Sequence, residues 1–287
     1  MKLADLYARS GLTLSVEFFP PKTEKGEENL FSEIEIIKRL HPGFCSVTYG
    51  AGGSTREKTV DLVDTIHNRC GLEVMCHLTV VGQSKAEARA ILQKLKAKNI
   101  ENLLALAGDP PQGMNGWQPH PDGFNHAIDL VREAVRTGGF SIAVAGFPEV
   151  HPRAVNRESD LGFLKAKVDA GAAAIITQLF FDNDDFFRFA DDLTKLGVTV
   201  PIVPGILPIL SASQVRRFAS LCGSKIPAAL ERRLVKVDAD ENAAVELGID
   251  YATRQCEGLI RYGVRGLHFY SLNKSYSFQA ICKNLAL

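Results

Sequence analysis

The chain has 287 residues, 46% hydrophobic and 23% charged, a length and balance that suit a large folded core and exclude a disordered chain. Lys plus Arg and Asp plus Glu number 33 each, so no net field draws the protein to nucleic acid or an anionic membrane, and small-molecule partners are expected. Six scattered cysteines without a CxxC pair read as reduced, mostly buried thiols; with no apolar signal core and no window of about 18 apolar residues, a cytoplasmic chain without a membrane span is expected.

Short runs of aliphatic, β-branched and aromatic residues alternate with amphipathic stretches from end to end. The first run, Leu12–Phe19, precedes apolar residues three or four apart over Glu28–Leu40. Phe44–Tyr49 pairs in the same way with Arg56–Asn68, Glu73–Thr79 with Lys85–Lys98, and Asn102–Ala107 with Phe124–Arg136. Ser141–Phe147 precedes Leu161–Ala170, Ala173–Gln178 precedes Asp185–Leu196, and Pro201–Val203 precedes Ala212–Leu221. Gly266–Tyr270 is the last strand. Runs such as SIAVAGF are apolar throughout, as parallel strands covered on both faces should be. Eight units without a linker predict an α/β fold, a (β/α)8 TIM barrel, as one domain over residues 1–287. Between Ile226 and Gly263 two helical stretches stand where one would suffice, so an extra helix is expected between strands seven and eight.

The active site of such a barrel lies where the strands end, which singles out the polar residues after each apolar run. These are Glu17, Thr48, Tyr49, His77, Thr79, Asp109, His151, Gln178, Tyr270, Asn273 and Lys274. Glu17 stands between Val16 and Phe18-Phe19-Pro20-Pro21, an apolar setting in which its pKa should rise and make it a general acid; the structural alternative is an interior glutamate paired with a Lys or His. Asp109 follows Gly108 in a tight turn and is read either as functional or as a turn-forming aspartate. His77 and His151 lack partners at ligand spacing and read as hydrogen-bonded histidines, so no metal is expected. Gln178, in an apolar run, needs hydrogen-bond partners that a ligand could supply. The Ala51–Thr59 stretch resembles a phosphate loop only weakly.

Taken together and in order, VEFFPPK, SVTYGAGGSTR, HLT, GDPP, FPEVHP, KVDAGAAAIITQLFFD, PIVPGILP and HFYSLN resemble the catalytic barrel of methylenetetrahydrofolate reductases over nearly the whole chain. The resemblance implies reduction of 5,10-methylenetetrahydrofolate to 5-methyltetrahydrofolate through a bound flavin, FAD, that takes hydride from NADH or NADPH. It implies that Glu17 protonates the folate and opens its five-membered ring, and that Asp109 lies near flavin and pterin and tunes both. By the same resemblance Gln178, Tyr270 and Lys274 bind the substrate, Lys274 standing where arginine is usual. Thr48, His77, Gly108, Ala127, Phe147, His151, Asp160 and Lys167 fall on cofactor positions.

The departures gather on the cofactor side. Ala107 stands in place of an arginine, Phe147 of a tyrosine, Phe163 of an asparagine and Ala166 of an arginine, while Leu234 replaces an aromatic that stacks on substrates in some members. Each lost charged contact is worth roughly 1.5–3 kcal/mol when well made. The expectations are therefore FAD held by other contacts, with Lys165, Lys167, Arg56 and Arg153 as candidates, then a smaller flavin such as FMN, then direct hydride transfer without flavin. Outside this chemistry stand a non-catalytic barrel serving as a redox partner subunit and a folate- or corrinoid-linked methyltransferase. Homo-oligomers are common among relatives.

Overall fold

The computed structural model describes residues 1–50, 56–109, 118 and 120–287, with residue 56 described in its backbone alone. The Gly-Gly-Ser-Thr stretch, the Arg56 side chain and the two prolines of GDPP lie outside the described residues.

In chain order the elements are α1 (Leu3–Ala8), β1 (Thr13–Phe18), α2 (Glu24–Lys38), β2 (Phe44–Val47), α3 (Arg56–Asn68), β3 (Val74–Thr79), α4 (Lys85–Ala97) and β4 (Asn102–Leu106). They continue as α5 (Ala127–Thr137), β5 (Ser141–Gly146), α6 (Arg157–Asp169), β6 (Ala174–Thr177), α7 (Asn183–Lys195), β7 (Ile202–Val203) and β8 (Gly205–Ile206). The last are α8 (Ala212–Cys222), α9 (Ala228–Lys236), α10 (Glu241–Tyr262), β9 (Gly266–Tyr270) and α11 (Tyr276–Asn284).

The strands pair in parallel, in the order β7-β6-β5-β4-β3-β2-β1-β9-β8. The two ends of that order, β7 and β8, are separated only by Pro204. They are halves of one stave: Ile202 pairs with Ile175 of β6, whereas Gly205 pairs with His268 of β9. Pro204 has no N–H to give a ladder, but its carbonyl accepts the His268 N–H at 3.0 Å, so the barrel closes through the break. The barrel thus has eight staves, as expected.

Three apolar clusters hold it. The largest lies between strands and helices, where Val16 and Phe18 of β1 meet Ile34 and Ile37 of α2, all fully buried. The second fills the lower barrel with Phe44, Met75, Leu104, Ile176 and Val203 and is plugged by Leu3, Leu6 and Tyr7 of α1. The plug is pinned by buried Asn102, whose Oδ1 accepts the Leu3 N–H at 2.8 Å. The third cluster sits under α8, α9 and α10 and contains Leu179, Phe181, Ile209 and Leu234. Of the three helices between β8 and β9, α10 packs against α7 and α11 in the outer ring. The two helical stretches expected between Ile226 and Gly263 are α9 and α10, and α9 is the extra one.

Sequence periodicity misplaces several boundaries. It gives no sign of α1, because six residues are too few to establish a period. Helix α2 starts at Glu24, not Glu28, since the Thr23 side chain caps it by accepting the Gly26 N–H at 3.1 Å. Helix α6 starts at Arg157, not Leu161: Asn156 accepts the Ser159 N–H at 2.9 Å, and this first turn is polar. Helix α5 starts at Ala127, not Phe124, where Asp129 accepts the His126 N–H at 3.0 Å.

Candidate active site

Side chains alternate across a strand. With Val16 and Phe18 turned to the helices, Ser15 and Glu17 face the barrel axis above the apolar plug. Register places Glu17 level with Ser46 on β2 and Tyr270 on β9. The Glu17 side chain is 18% exposed, and its Oε2 lies 3.5 Å from His77 Nε2 and 3.6 Å from His268 Nε2. Two imidazoles, not the flanking aromatics alone, therefore make its surroundings. That corrects the apolar setting expected from sequence and realises the histidine pairing weighed as the alternative.

The backbone carrying Glu17 is tied to the turn after β9. Ser271 Oγ donates to the Glu17 carbonyl at 2.8 Å. The Asn273 side chain takes the Phe19 N–H and donates to the Phe19 carbonyl, both at 2.9 Å. This turn puts Leu272 at φ 53° and Asn273 at φ 59°. The left-handed region is unfavourable for leucine by roughly 1–2 kcal/mol, so the local hydrogen bonds offset strain.

His77 is buried, and its Nε2 has no hydrogen-bond partner among the described residues, contrary to the satisfied histidine expected. Thr79 Oγ1, two residues along β3, is likewise buried and unpartnered among them. Burial pushes the His77 imidazole down from 6.5 to about 4; the Glu17 carboxylate opposes this and His268 adds to it. Between these values the unfolded chain binds a proton that the folded chain refuses, so stability is lost as pH falls from about 6.5 toward 4. The full loss is on the order of 3 kcal/mol. Urea unfolding at pH 7 and pH 5 should show a drop, and His77→Gln should flatten it; equal pH dependence in the two proteins would contradict this reading.

Gly108 sits at φ +82°, and a Cβ there would fall 2.7 Å from Val81 Cγ1 and 2.8 Å from Thr79 Cβ. Only glycine permits this close approach. The following Asp109 is exposed at the mouth. Gln178 Oε1 accepts the N–H of Leu179 at 2.8 Å, so part of the amide's demand is met within the chain. Tyr270 donates its hydroxyl to the Thr177 carbonyl at 2.6 Å, and burial holds its pKa well above 10. Lys274 is exposed beyond the β9 turn.

The other residues expected to hold a cofactor are spread from the end of β2 to α6. The Thr48 N–H donates to the Phe18 carbonyl at 2.9 Å. Ala127 opens α5. The Phe147 ring packs edge-on against His151, with centroids 4.4 Å apart. The His151 N–H donates to Asp160 Oδ2 at 2.9 Å, and its ring is pushed down by burial first and by Arg153 next. Lys167 Nζ donates to the Ala145 carbonyl at 3.0 Å, and burial lowers it from 10.5 to about 8 against the opposing pull of Asp160. Phe163 is 70% exposed, and Leu234 of α9 is fully buried in the third apolar cluster.

Sequence reading missed His268, fully buried between Phe44 and Tyr270. It also missed Ser15 and Ser46. Alternation of β1, β2 and β9 about their apolar outward residues was the signal that pointed to them. Among the described residues no group of three or more His, Cys, Asp or Glu is placed to hold a metal, and no helix is long and apolar enough to cross a membrane. The six cysteines are free, and four of them are buried.

The family model for methylenetetrahydrofolate reductase matches residues 2–286. Methylenetetrahydrofolate reductase (NADH) 1 of Arabidopsis thaliana is 39% identical over 297 residues, covering 100% of this chain and 50% of the plant protein. The 5,10-methylenetetrahydrofolate reductase of Escherichia coli K12 is 38% identical over 276 residues, covering 96% of this chain and 91% of that one. The chain thus spans about half the length of the plant relatives it matches. Among solved structures, a Clostridium thermocellum protein described as binding two copies of 5-methyl-5,6,7,8-tetrahydrofolic acid aligns with TM-score 0.65 at 16% identity, over 99% of this chain and 97% of that one, which shows a shared fold.

Proposed function

The chain belongs to the methylenetetrahydrofolate reductase family, and on that footing we propose that it reduces 5,10-methylenetetrahydrofolate to 5-methyltetrahydrofolate at the mouth of its barrel, using NADH or NADPH. The observation that carries the reading is the Glu17 carboxyl group, partly exposed at the mouth and set between two imidazoles. The clostridial neighbour, which shares the fold and binds 5-methyl-5,6,7,8-tetrahydrofolic acid, further supports folate as the ligand.

The residues present fit a flavin ring at this mouth. His77 Nε2 and Thr79 Oγ1 are buried polar atoms without a hydrogen-bond partner among the described residues, and Gly108 leaves room for close approach beside them. Thr48, Ala127, Phe147, His151, Asp160 and Lys167 would hold the remainder of FAD. A bound flavin supplies two-electron exchange, taking hydride from the nicotinamide and giving it to the folate. Glu17 gives its proton to a nitrogen of the folate's five-membered ring; the carbon–nitrogen bond breaks, and the methylene carbon is left as an iminium that accepts hydride. Gln178, Tyr270 and Lys274 orient the pterin, and Asp109 places negative charge where the ring systems meet.

A flavin-free reductase is the second reading, favoured by Phe163, 70% exposed on α6, and by Lys167 turned onto the Ala145 carbonyl. The visible spectrum separates the two. Purified protein should show oxidised-flavin bands near about 380 and 450 nm that bleach with NADH or NADPH and return with methylenetetrahydrofolate. A colourless protein that still oxidises nicotinamide with that folate would overturn the flavin.

A further inference from the structure

The loop between β5 and α6 is held at both ends. Pro148 and Pro152 fix their own φ and bias the residues before them, Phe147 and His151, to extended backbone. Arg157 Nη1 donates to the Pro148 carbonyl at 3.1 Å, and the His151 N–H donates to Asp160 Oδ2 at 2.9 Å. The reversal of the chain falls between these anchors, on Val150, at φ 118°. Among the described residues Val150 is the only β-branched side chain at positive φ, a conformation that costs such a residue more than any other.

Its neighbour Glu149 reaches across to the loop after α8. The Glu149 side chain is only 8% exposed; its Oε1 accepts the Lys225 N–H at 2.8 Å, and Lys225 Nζ lies 3.7 Å from the same oxygen and 3.4 Å from Asp185 Oδ1. Pro152 adds a second contact between the two loops, since a Cβ on Gly223 would fall 2.8 Å from Pro152 Cγ. The receiving loop is anchored in turn, with Ser224 Oγ donating to the Leu179 carbonyl at 2.8 Å.

We propose that Glu149 is a positioning residue: it latches the loop after β5 to the loop after α8, holds Val150 in its strained turn, and so sets the rings of Phe147 and His151 against each other. The use of those two rings as flavin contacts rests on the proposed function. A strained residue persists only where its surroundings over-determine it, and the hydrogen bonds on either side of Val150 do so here. Released from Lys225, Glu149 leaves one side of Val150 free to turn, and Val150 returns to negative φ. His151 follows it directly in the chain. Its ring, 4.4 Å from that of Phe147 between centroids, then loses its place. Holding the pair ready spares a ligand the cost of ordering the loop.

The test compares Val150→Gly with Val150→Ala in the whole protein, a pair that differs in backbone freedom and by one methyl group. At an ordinary position alanine is the more stable of the two; at positive φ glycine is. Val150→Gly should therefore melt at least about 2 °C above Val150→Ala. In a Glu149→Ala background, where the turn is released, that order should vanish or reverse. Glu149→Asp, one methylene short of the Lys225 N–H, should do the same and serves if Glu149→Ala does not fold. Alanine equal to or above glycine in the wild-type background, or an order that survives loss of Glu149, overturns the proposal. Flavin release on dilution, followed by the rise in flavin fluorescence, reads the position of the two rings. Glu149→Ala should lose flavin at least about tenfold faster than wild type, and Glu149→Gln, whose amide oxygen still accepts the Lys225 N–H, within about threefold of wild type. Equal retention in Glu149→Ala, or no rescue by glutamine, overturns the positioning role. Wild-type protein that carries no flavin and takes up none of the added FAD refutes the flavin reading of the proposed function and this role at the cofactor with it, whereas a flavin-loaded wild type with the melting order unchanged by Glu149→Ala refutes Glu149 alone.

Discussion

Glu17→Gln should reduce folate turnover by about 10²- to 10⁴-fold, the range for losing a positioned proton donor, while the nicotinamide half-reaction persists because it moves a hydride and needs no proton from Glu17. Glutamine has the same size, and the contacts of the carboxylate to His77 and His268, 3.5 and 3.6 Å, are too long for their loss to unfold the barrel. Stopped-flow measurement of the two half-reactions separates the effects. A normal folate rate in Glu17→Gln would remove the carboxyl from the proton transfer.

Gly205→Ala should give a large loss of stability. A Cβ there would lie 2.3 Å from the Thr177 carbonyl oxygen and 2.7 Å from both Cε2 and the hydroxyl of Tyr270. Thr177 belongs to β6 and Tyr270 to β9, the staves on either side of the broken one, and the Gly205 N–H itself donates to Thr177 Oγ1 at 2.9 Å. Relief therefore requires a backbone shift at the seam where the barrel closes. A cost of about 3 kcal/mol or more is expected, which in a chain of this size lowers Tm by roughly 6–12 °C. Because the Tyr270–Thr177 hydrogen bond lies in the same contact, folate affinity should weaken too. A melting temperature within about 1 °C of wild type would contradict the geometry.

The barrel was legible because buried parallel strands are apolar throughout and the helices between them keep a 3.6-residue period. Strand seven shows where that signal fails. Pro201–Val203 reads as one short run, yet the stave continues past Pro204 as Gly205–Ile206, and only the pairing of its halves with different neighbours closes the barrel. The short α1 plug escaped because six residues hold no period, and the first turn of α6 because its residues are polar.

In the candidate site, collecting polar residues at strand ends singled out Glu17, His77, Gln178 and Tyr270 but not how deep in the barrel they lie. His268 stands two residues before Tyr270, inside an apparently hydrophobic strand, and reads as core. Only the register of β9 on β1 brings it level with Ser15 and within reach of Glu17. Gln178 illustrates the reverse: an amide in an apolar run looks to need a ligand, and the Leu179 N–H meets part of that need.

The proposed conversion of methylenetetrahydrofolate to its methyl form at the Glu17 mouth is open to one direct measurement. The direct measurement is anaerobic: the protein is mixed with NADH or NADPH and 5,10-methylenetetrahydrofolate, and oxidised nicotinamide and 5-methyltetrahydrofolate are quantified together for wild type and Glu17→Gln. One methyl product per nicotinamide oxidised in wild type, with product all but absent in Glu17→Gln, is the predicted result. Nicotinamide oxidation without methyl product in wild type, or undiminished product in the variant, would contradict it.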